Sequence, residues 1–264
     1  MLLQHEGTPI GEFTHINGER VYQALPKGDY DKTKALLFLP DIFGNSLPNG
    51  KLLADAFAAE GFATYAVDYL NGDDAPEDAL SGGDFDLMAW IGKHGKAETY
   101  PHVLKTIEGL KQQGVKEFAA TGYCFGARWV VDAVLDGLLK VAIVSHPSLL
   151  KPDEDLPAIK AKSIPFLWNT CETDQLVRET TNTWNSCSFG VVAKFDLDSS
   201  LVQWPKECQE KADEVFKGDK NYQRNYYAGV AHGFAIRGDP KDEKSRKAKE
   251  DSFESSVKFL KEKF

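Results

Sequence analysis

At 264 residues, with 42% hydrophobic and 27% charged side chains, the chain has the size and balance of one large globular domain. A formal net charge of −9 argues against nucleic acid or an anionic membrane surface as partner, and no apolar run approaches the roughly 18 residues a bilayer span needs. Cys124, Cys171, Cys187 and Cys208 form no C-x-x-C pair, and the N-terminus lacks the pattern of a secretory signal, so reduced thiols, no bound metal and a cytoplasmic location are expected.

Taken in chain order, strand-like and helix-like patterns alternate, which predicts an α/β fold with a mostly parallel central sheet and helices on both faces. The continuous apolar run at 35–39 reads as a buried strand. A short helix follows over 51–60, with Leu53 and Phe57 on one face and Gly61 as its stop, then a strand over 62–67. Residues 71–83 are rich in Gly, Asp, Ser and Pro and read as a loop. Helical spacing returns over 99–113, with Val103, Leu104, Ile107 and Leu110 expected inward and Gly114 closing it. Strands are expected at 118–121, 141–144, 164–168 and 223–227. A final helix is expected with Asp239 as N-cap and Pro240 at its first position, burying Phe253, Val257, Leu260 and Phe264. The whole chain, 1–264, reads as one domain. The least regular stretch, 183–216, is expected to hold a helix over 205–216 preceded by either an extra strand or a lid.

The most informative run is Gly122-Tyr123-Cys124-Phe125-Gly126. It joins the 118–121 strand to a helical pattern carrying Ala127, Val130, Val131 and Val134, the strand–sharp turn–helix setting of a nucleophile elbow. Glycines flank the central residue because side chains there collide with the neighbouring strand or helix. The start of the helix aims free N–H groups and a positive dipole end at the sulfur, favouring thiolate. Asp174 and His232 follow Cys124 in the chain order nucleophile, acid, histidine, each after an expected strand. In that arrangement Cys124 attacks a carbonyl, His232 takes and returns the proton, and Asp174 fixes the imidazole. The backbone N–H groups of Phe125 and Ile42 are the candidates for holding the oxyanion.

Four segments, Pro40-Asp41-Ile42-Phe43-Gly44, the elbow, Glu172-Thr173-Asp174 and Ala231-His232-Gly233-Phe234, together resemble the dienelactone hydrolase family, a cysteine-using branch of the α/β-hydrolases. The resemblance implies an α/β-hydrolase fold and hydrolysis of small esters or lactones such as carboxymethylenebutenolide, without metal or organic cofactor. It implies that Asp41 contacts the resting nucleophile, although Asp41 is shorter than the Glu common at that position; the plainer alternative is that it caps the next turn. It also implies that Arg237 faces the pocket, where a guanidinium can clamp a substrate carboxylate. A further arginine expected after the 62–67 strand has no clear counterpart. Arg128, in the first turn after the elbow, is expected to have a carboxylate partner, structural rather than substrate. Tyr123, Phe43 and Phe234 are candidate pocket walls, and His146 either lines the site or is a structural histidine.

Two other readings remain at this stage. One is a non-hydrolytic small-ligand-binding protein on the same scaffold; the other is a thiol redox sensor, which a mild peroxide test on Cys124 separates from a hydrolase. The sequence leaves monomer and homodimer both open.

Overall fold

The computed structural model describes residues 3, 5–80, 84–174 and 204–264. Among them, eight strands form one sheet in the order β1-β2-β4-β3-β5-β6-β7-β8. The strands are β1 (Glu12–Ile16), β2 (Glu19–Ala24), β3 (Lys34–Leu39), β4 (Thr64–Val67), β5 (Glu117–Tyr123), β6 (Val141–Ser145), β7 (Phe166–Thr173) and β8 (Tyr222–Ala231). The β1–β2 and β2–β4 pairings are antiparallel; the pairs from β4 across to β8 are parallel.

Alternation along the central strands divides the core between the two faces. Leu36 and Phe38 of β3, Ile143 of β6 and Leu167 of β7 face a cluster shared with α1 (Pro48–Ala59) and α8 (Glu243–Lys263), including Leu53, Phe57, Phe253, Val257 and Leu260. Leu37, Leu39, Ala120 and Val144 face the opposite cluster. That side is covered by α2 (Leu87–Lys93), α3 (Lys96–Gln112), α4 (Gly126–Leu135), α5 (Pro152–Lys162) and α6 (Lys206–Val215).

The structure differs from the sequence reading in several places. The last helix starts at Glu243, with the Asp242 carboxylate accepting the Ser245 N–H; Asp239 instead accepts the Lys241 N–H in a local turn, so Asp239 and Pro240 lie outside the helix. Leu104 is 38% exposed, because it lies beside the buried row Val103, Ile107 and Leu110 rather than within it. The β1–β2 hairpin, α2 and α5 were not anticipated. Within the stretch 183–216, α6 occupies the expected helical part; the strand or lid expected before it lies outside the described residues. No described helix is long and apolar enough to cross a membrane.

Five loops that carry the expected site residues leave the same edge of the sheet, at the carboxyl ends of β3, β5, β6, β7 and β8. Register fixes which of them meet. Tyr123 pairs with Ser145, so Cys124 and His146 leave the sheet side by side. Thr173 pairs with Ala231, so Asp174 and His232 do the same.

Candidate active site

Cys124 adopts φ of 51°, a left-handed conformation that strains a non-glycine residue by about 1–3 kcal/mol and is typical of functional turns. The turn closes tightly. A Cβ on Gly122 would lie 2.6 Å from Val130, and one on Gly126 would lie 2.2 Å from the Leu39 carbonyl oxygen. The sulfur is thereby lifted out of the sheet just ahead of α4, whose first residue is Gly126. The thiol is buried and lies 3.5 Å from the Ser148 hydroxyl, while the Ser148 N–H donates to the Cys124 carbonyl at 3.1 Å. Ser148 was not singled out from sequence; its signal was its place in the same strand-end loop as His146.

Across the site, Nδ1 of His232 is 2.6 Å from Asp174 Oδ1, and the His232 side chain is 3% exposed. With Nδ1 committed to the carboxylate, Nε2 is left without a hydrogen-bond partner and is the nitrogen free to exchange a proton. Burial opposes charge on this imidazole, but the Cys124 sulfur and the Asp174 carboxylate outweigh it and raise the pKa to about 10. By distance the sulfur's hydrogen-bond neighbour is the Ser148 hydroxyl, while it acts on the His232 ring through charge and a longer hydrogen-bond contact.

Two backbone amides border the same space. The Cys124 carbonyl accepts from Ala127 and Ser148, and the Asp41 carbonyl accepts from Gly44. In a trans peptide the N–H points opposite to the C=O, so the Phe125 and Ile42 amides point away from those bonds. Neither donates a hydrogen bond to a described residue, and both residues line a small, largely apolar depression with Cys124 and Ser148. The Ile42 loop is held by the Tyr69 hydroxyl, which donates to Pro40 O at 2.5 Å, and by the Ala75 N–H, which donates to Ile42 O.

Asp41 and Arg237 meet each other. Arg237 Nε donates to Asp41 Oδ2 at 2.6 Å, and the guanidinium sits over the Phe43 ring at 4.7 Å. The other Asp41 oxygen accepts the Phe43 N–H. Phe234 begins the short helix α7 (Phe234–Arg237) and packs against Tyr227 and His146. Tyr123 is buried beside Phe38 in the cluster on the α1 and α8 face. Arg128 pairs with Asp132 and Asp155, within the helical layer.

His146 is fully buried, its ring centroid 4.7 Å from that of His232, and neither ring nitrogen has a partner. Burial, then the charges of His232 and Arg237, hold its pKa well below the usual histidine value. In the folded state it is therefore neutral, whereas the unfolded chain protonates it below about pH 6.5. Stability should then fall as pH drops from about 6.5, by up to about 1.4 kcal/mol per pH unit. The raised His232 has the opposite sign: its contribution is complete below about pH 6.5 and is lost as pH rises toward its folded value. Urea midpoints taken across this acid window should show the slope in wild type and a shallower one in His146→Phe, whatever that variant's baseline.

Among the described residues no cluster of three or more His, Cys, Asp or Glu side chains is placed to hold a metal ion. Burial raises the Cys171 and Cys208 thiols, which makes them poor nucleophiles beside Cys124.

Comparison with known proteins places this site in a family context. Residues 20–187 match the model of the dienelactone hydrolase family. The chain is 32% identical over 258 residues to the hydrolase pyvD of Aspergillus violaceofuscus, covering 97% of this chain and 91% of that protein. It is 28% identical to dienlactone hydrolase 1 of Gibberella moniliformis, over 97% of this chain and 89% of the relative. Among solved structures, the thermophilic esterase Est2 of Thermogutta terrifontis superposes with a TM-score of 0.61 over 96% of this chain and 94% of its own, at 16% identity.

Proposed function

The chain belongs to the dienelactone hydrolase family and is an ester or lactone hydrolase, and we propose that it works through Cys124, His232 and Asp174 by way of a thioester acyl-enzyme. The observation that carries this reading is the Asp174–His232 bond at 2.6 Å, which leaves Nε2 facing an elbow cysteine in a left-handed turn. Asp174 fixes the tautomer and stabilises the imidazolium, so sulfur and ring share one proton as thiolate and cation.

The steps follow from these positions. The Cys124 thiolate attacks the carbonyl carbon, and the electron pair moved to oxygen is held by the N–H groups of Ile42 and Phe125. As the oxyanion collapses, the C–O bond to the leaving group breaks and the His232 imidazolium donates its proton to the departing oxygen. The product is a thioester on Cys124 and a neutral imidazole. His232 then takes a proton from water, the hydroxide adds to the thioester carbon, and the acid leaves as the thiolate–imidazolium pair is restored. In a lactone the leaving oxygen stays tethered to the acyl group throughout, so the second half releases a single hydroxy acid. Ser148 keeps the resting thiol in place, a task for which Asp41, committed to Arg237, is less available.

An esterase assay tests the reading. Wild type should release p-nitrophenol from short acyl esters, and Asp174→Asn should lower kcat by about 10³- to 10⁴-fold with KM little changed, because the ring then rests in the wrong tautomer. A variant within a few-fold of wild type would remove Asp174 from the mechanism.

A further inference from the structure

The segment that follows β4 wraps the loop that follows β3 and holds it at three points. The Tyr69 hydroxyl donates to Pro40 O at 2.5 Å, the Ala75 N–H donates to Ile42 O at 2.8 Å, and the Asp74 carboxylate accepts the Ser46 N–H at 3.0 Å. Tyr69 is buried, and a phenylalanine would fill nearly the same space. A buried hydroxyl is costly unless it is bonded, and this one is spent on a loop carbonyl two residues before a candidate oxyanion donor.

Peptide planarity carries the effect of that bond along the chain. Tyr69 fixes the Pro40 carbonyl, and the Gly44 N–H fixes the Asp41 carbonyl at 2.9 Å. Two successive peptide planes are thereby set, and the second of them carries the Ile42 N–H on its opposite side. The Tyr69 ring has a further contact. It lies nearly parallel to the Phe125 ring, 6.2 Å between centroids and 18° between planes, within the range of offset aromatic pairs. Trp90 and Trp129 meet the same Phe125 ring edge-on at 5.4 and 5.6 Å, so Phe125 is packed from several sides. Burial first, then the charges of Asp41 and Cys124, push the Tyr69 hydroxyl well above the usual phenol value, so it stays protonated and remains a donor.

We propose that Tyr69 is a positioning residue for the oxyanion hole: its hydroxyl sets the Ile42 amide by way of Pro40, and its ring steadies Phe125, the residue of the second amide. One side chain thus fixes the spacing of the two donors. This rests on the hydrolase reading above and gives a part in it to a residue that acts through the backbone of others.

Tyr69→Phe in the full chain tests it, because the ring stays and one hydrogen bond goes. On p-nitrophenyl butyrate, kcat should fall by about ten-fold or more with KM little changed, since the donors matter most once charge develops on the carbonyl oxygen. Two probes separate positioning from general loosening of the site. Propyl trifluoromethyl ketone takes the Cys124 thiolate reversibly at its carbonyl carbon, and its oxygen becomes an alkoxide held by the same amides. Its inhibition constant should rise by about the factor that kcat falls. Iodoacetamide alkylates Cys124 by displacing iodide at a saturated carbon, with no charge arriving in the hole, and its rate should stay within about two-fold of wild type. Phe125→Leu, which keeps the amide and removes the stacked ring, should shift kcat and the inhibition constant together by about three-fold and reports the same link if Tyr69→Phe folds too poorly to assay.

Unchanged kcat and ketone inhibition in either variant overturn the proposal. So does a fall in iodoacetamide reactivity as large as the fall in kcat, which would place the effect on the thiol. A wild type that neither cleaves the ester nor binds the ketone sinks the hydrolase reading and this inference with it, whereas an active wild type beside an unaffected Tyr69→Phe sinks this inference alone.

Discussion

Cys124→Ala should lower kcat/KM on any accepted ester by about 10⁴-fold or more, with the fold intact. The thiolate makes the only covalent bond to the acyl group in the proposed sequence, and the remaining groups act on the intermediate it forms. Removing it leaves the two proposed amide donors and the apolar wall, which in this account hold an ester without opening it. Stability should change little, because a small buried side chain is shortened by one atom at a position whose strain lies in the backbone. A thermal or urea midpoint near wild type, together with the loss of p-nitrophenol release, separates lost chemistry from lost folding.

Gly126→Ala should be the most damaging single methyl group in the molecule. Helix propensity alone predicts a gain of about 1 kcal/mol, since alanine replaces glycine at the first residue of α4. Space reverses the sign. The added Cβ would fall 2.2 Å from Leu39 O and 2.4 Å from Pro40 O, both backbone atoms at the end of a central strand. Neither can swing aside as a flexible side chain would, so α4 and the β3 loop must part. The expected cost is about 3 kcal/mol or more, at the upper end for overpacking. Because that loop carries Ile42, the surviving folded protein should also lose about 10²-fold in kcat as one of the proposed oxyanion donors moves away. Denaturant unfolding and kcat on the residual native fraction check both parts. A variant as stable as wild type would mean that the elbow is less tightly closed than its geometry indicates.

Much of this was legible in the sequence where the signal is local. The buried central strands have no polar face to disguise them, so β3 and β6 read as plain apolar runs. Cys124 and Asp174 follow buried strands and His232 follows the alternating edge strand β8, and parallel register then carries them to one edge. Features were lost where burial is partial or where partners are distant. Strand β1 lies at the sheet edge with most of its side chains exposed, so it shows no apolar run. The true cap of α8 was hidden because Asp239 and Asp242 are both plausible caps, and only the Ser245 bond distinguishes them.

The pairing of Asp41 with Arg237 spans 196 positions and depends on where α7 is set down, which no local pattern encodes. Read singly, Asp41 is a candidate partner for sulfur and Arg237 a candidate clamp for substrate. Only their contact shows that each holds the other. His146 illustrates the reverse case. Its position at a strand end was evident, but its complete burial and two unpartnered nitrogens follow from the packing of His232, Phe234 and Tyr123 around it.

The nucleophile can be observed directly. Wild type is mixed with a slowly deacylating aryl ester, quenched in acid and digested, and the peptide carrying Cys124 is weighed. An increase equal to the acyl group, released by neutral hydroxylamine and absent in Cys124→Ala, is the expected result. Acylation found on Ser148 instead, or steady turnover with Cys124 unmodified and dispensable, would contradict a thioester mechanism.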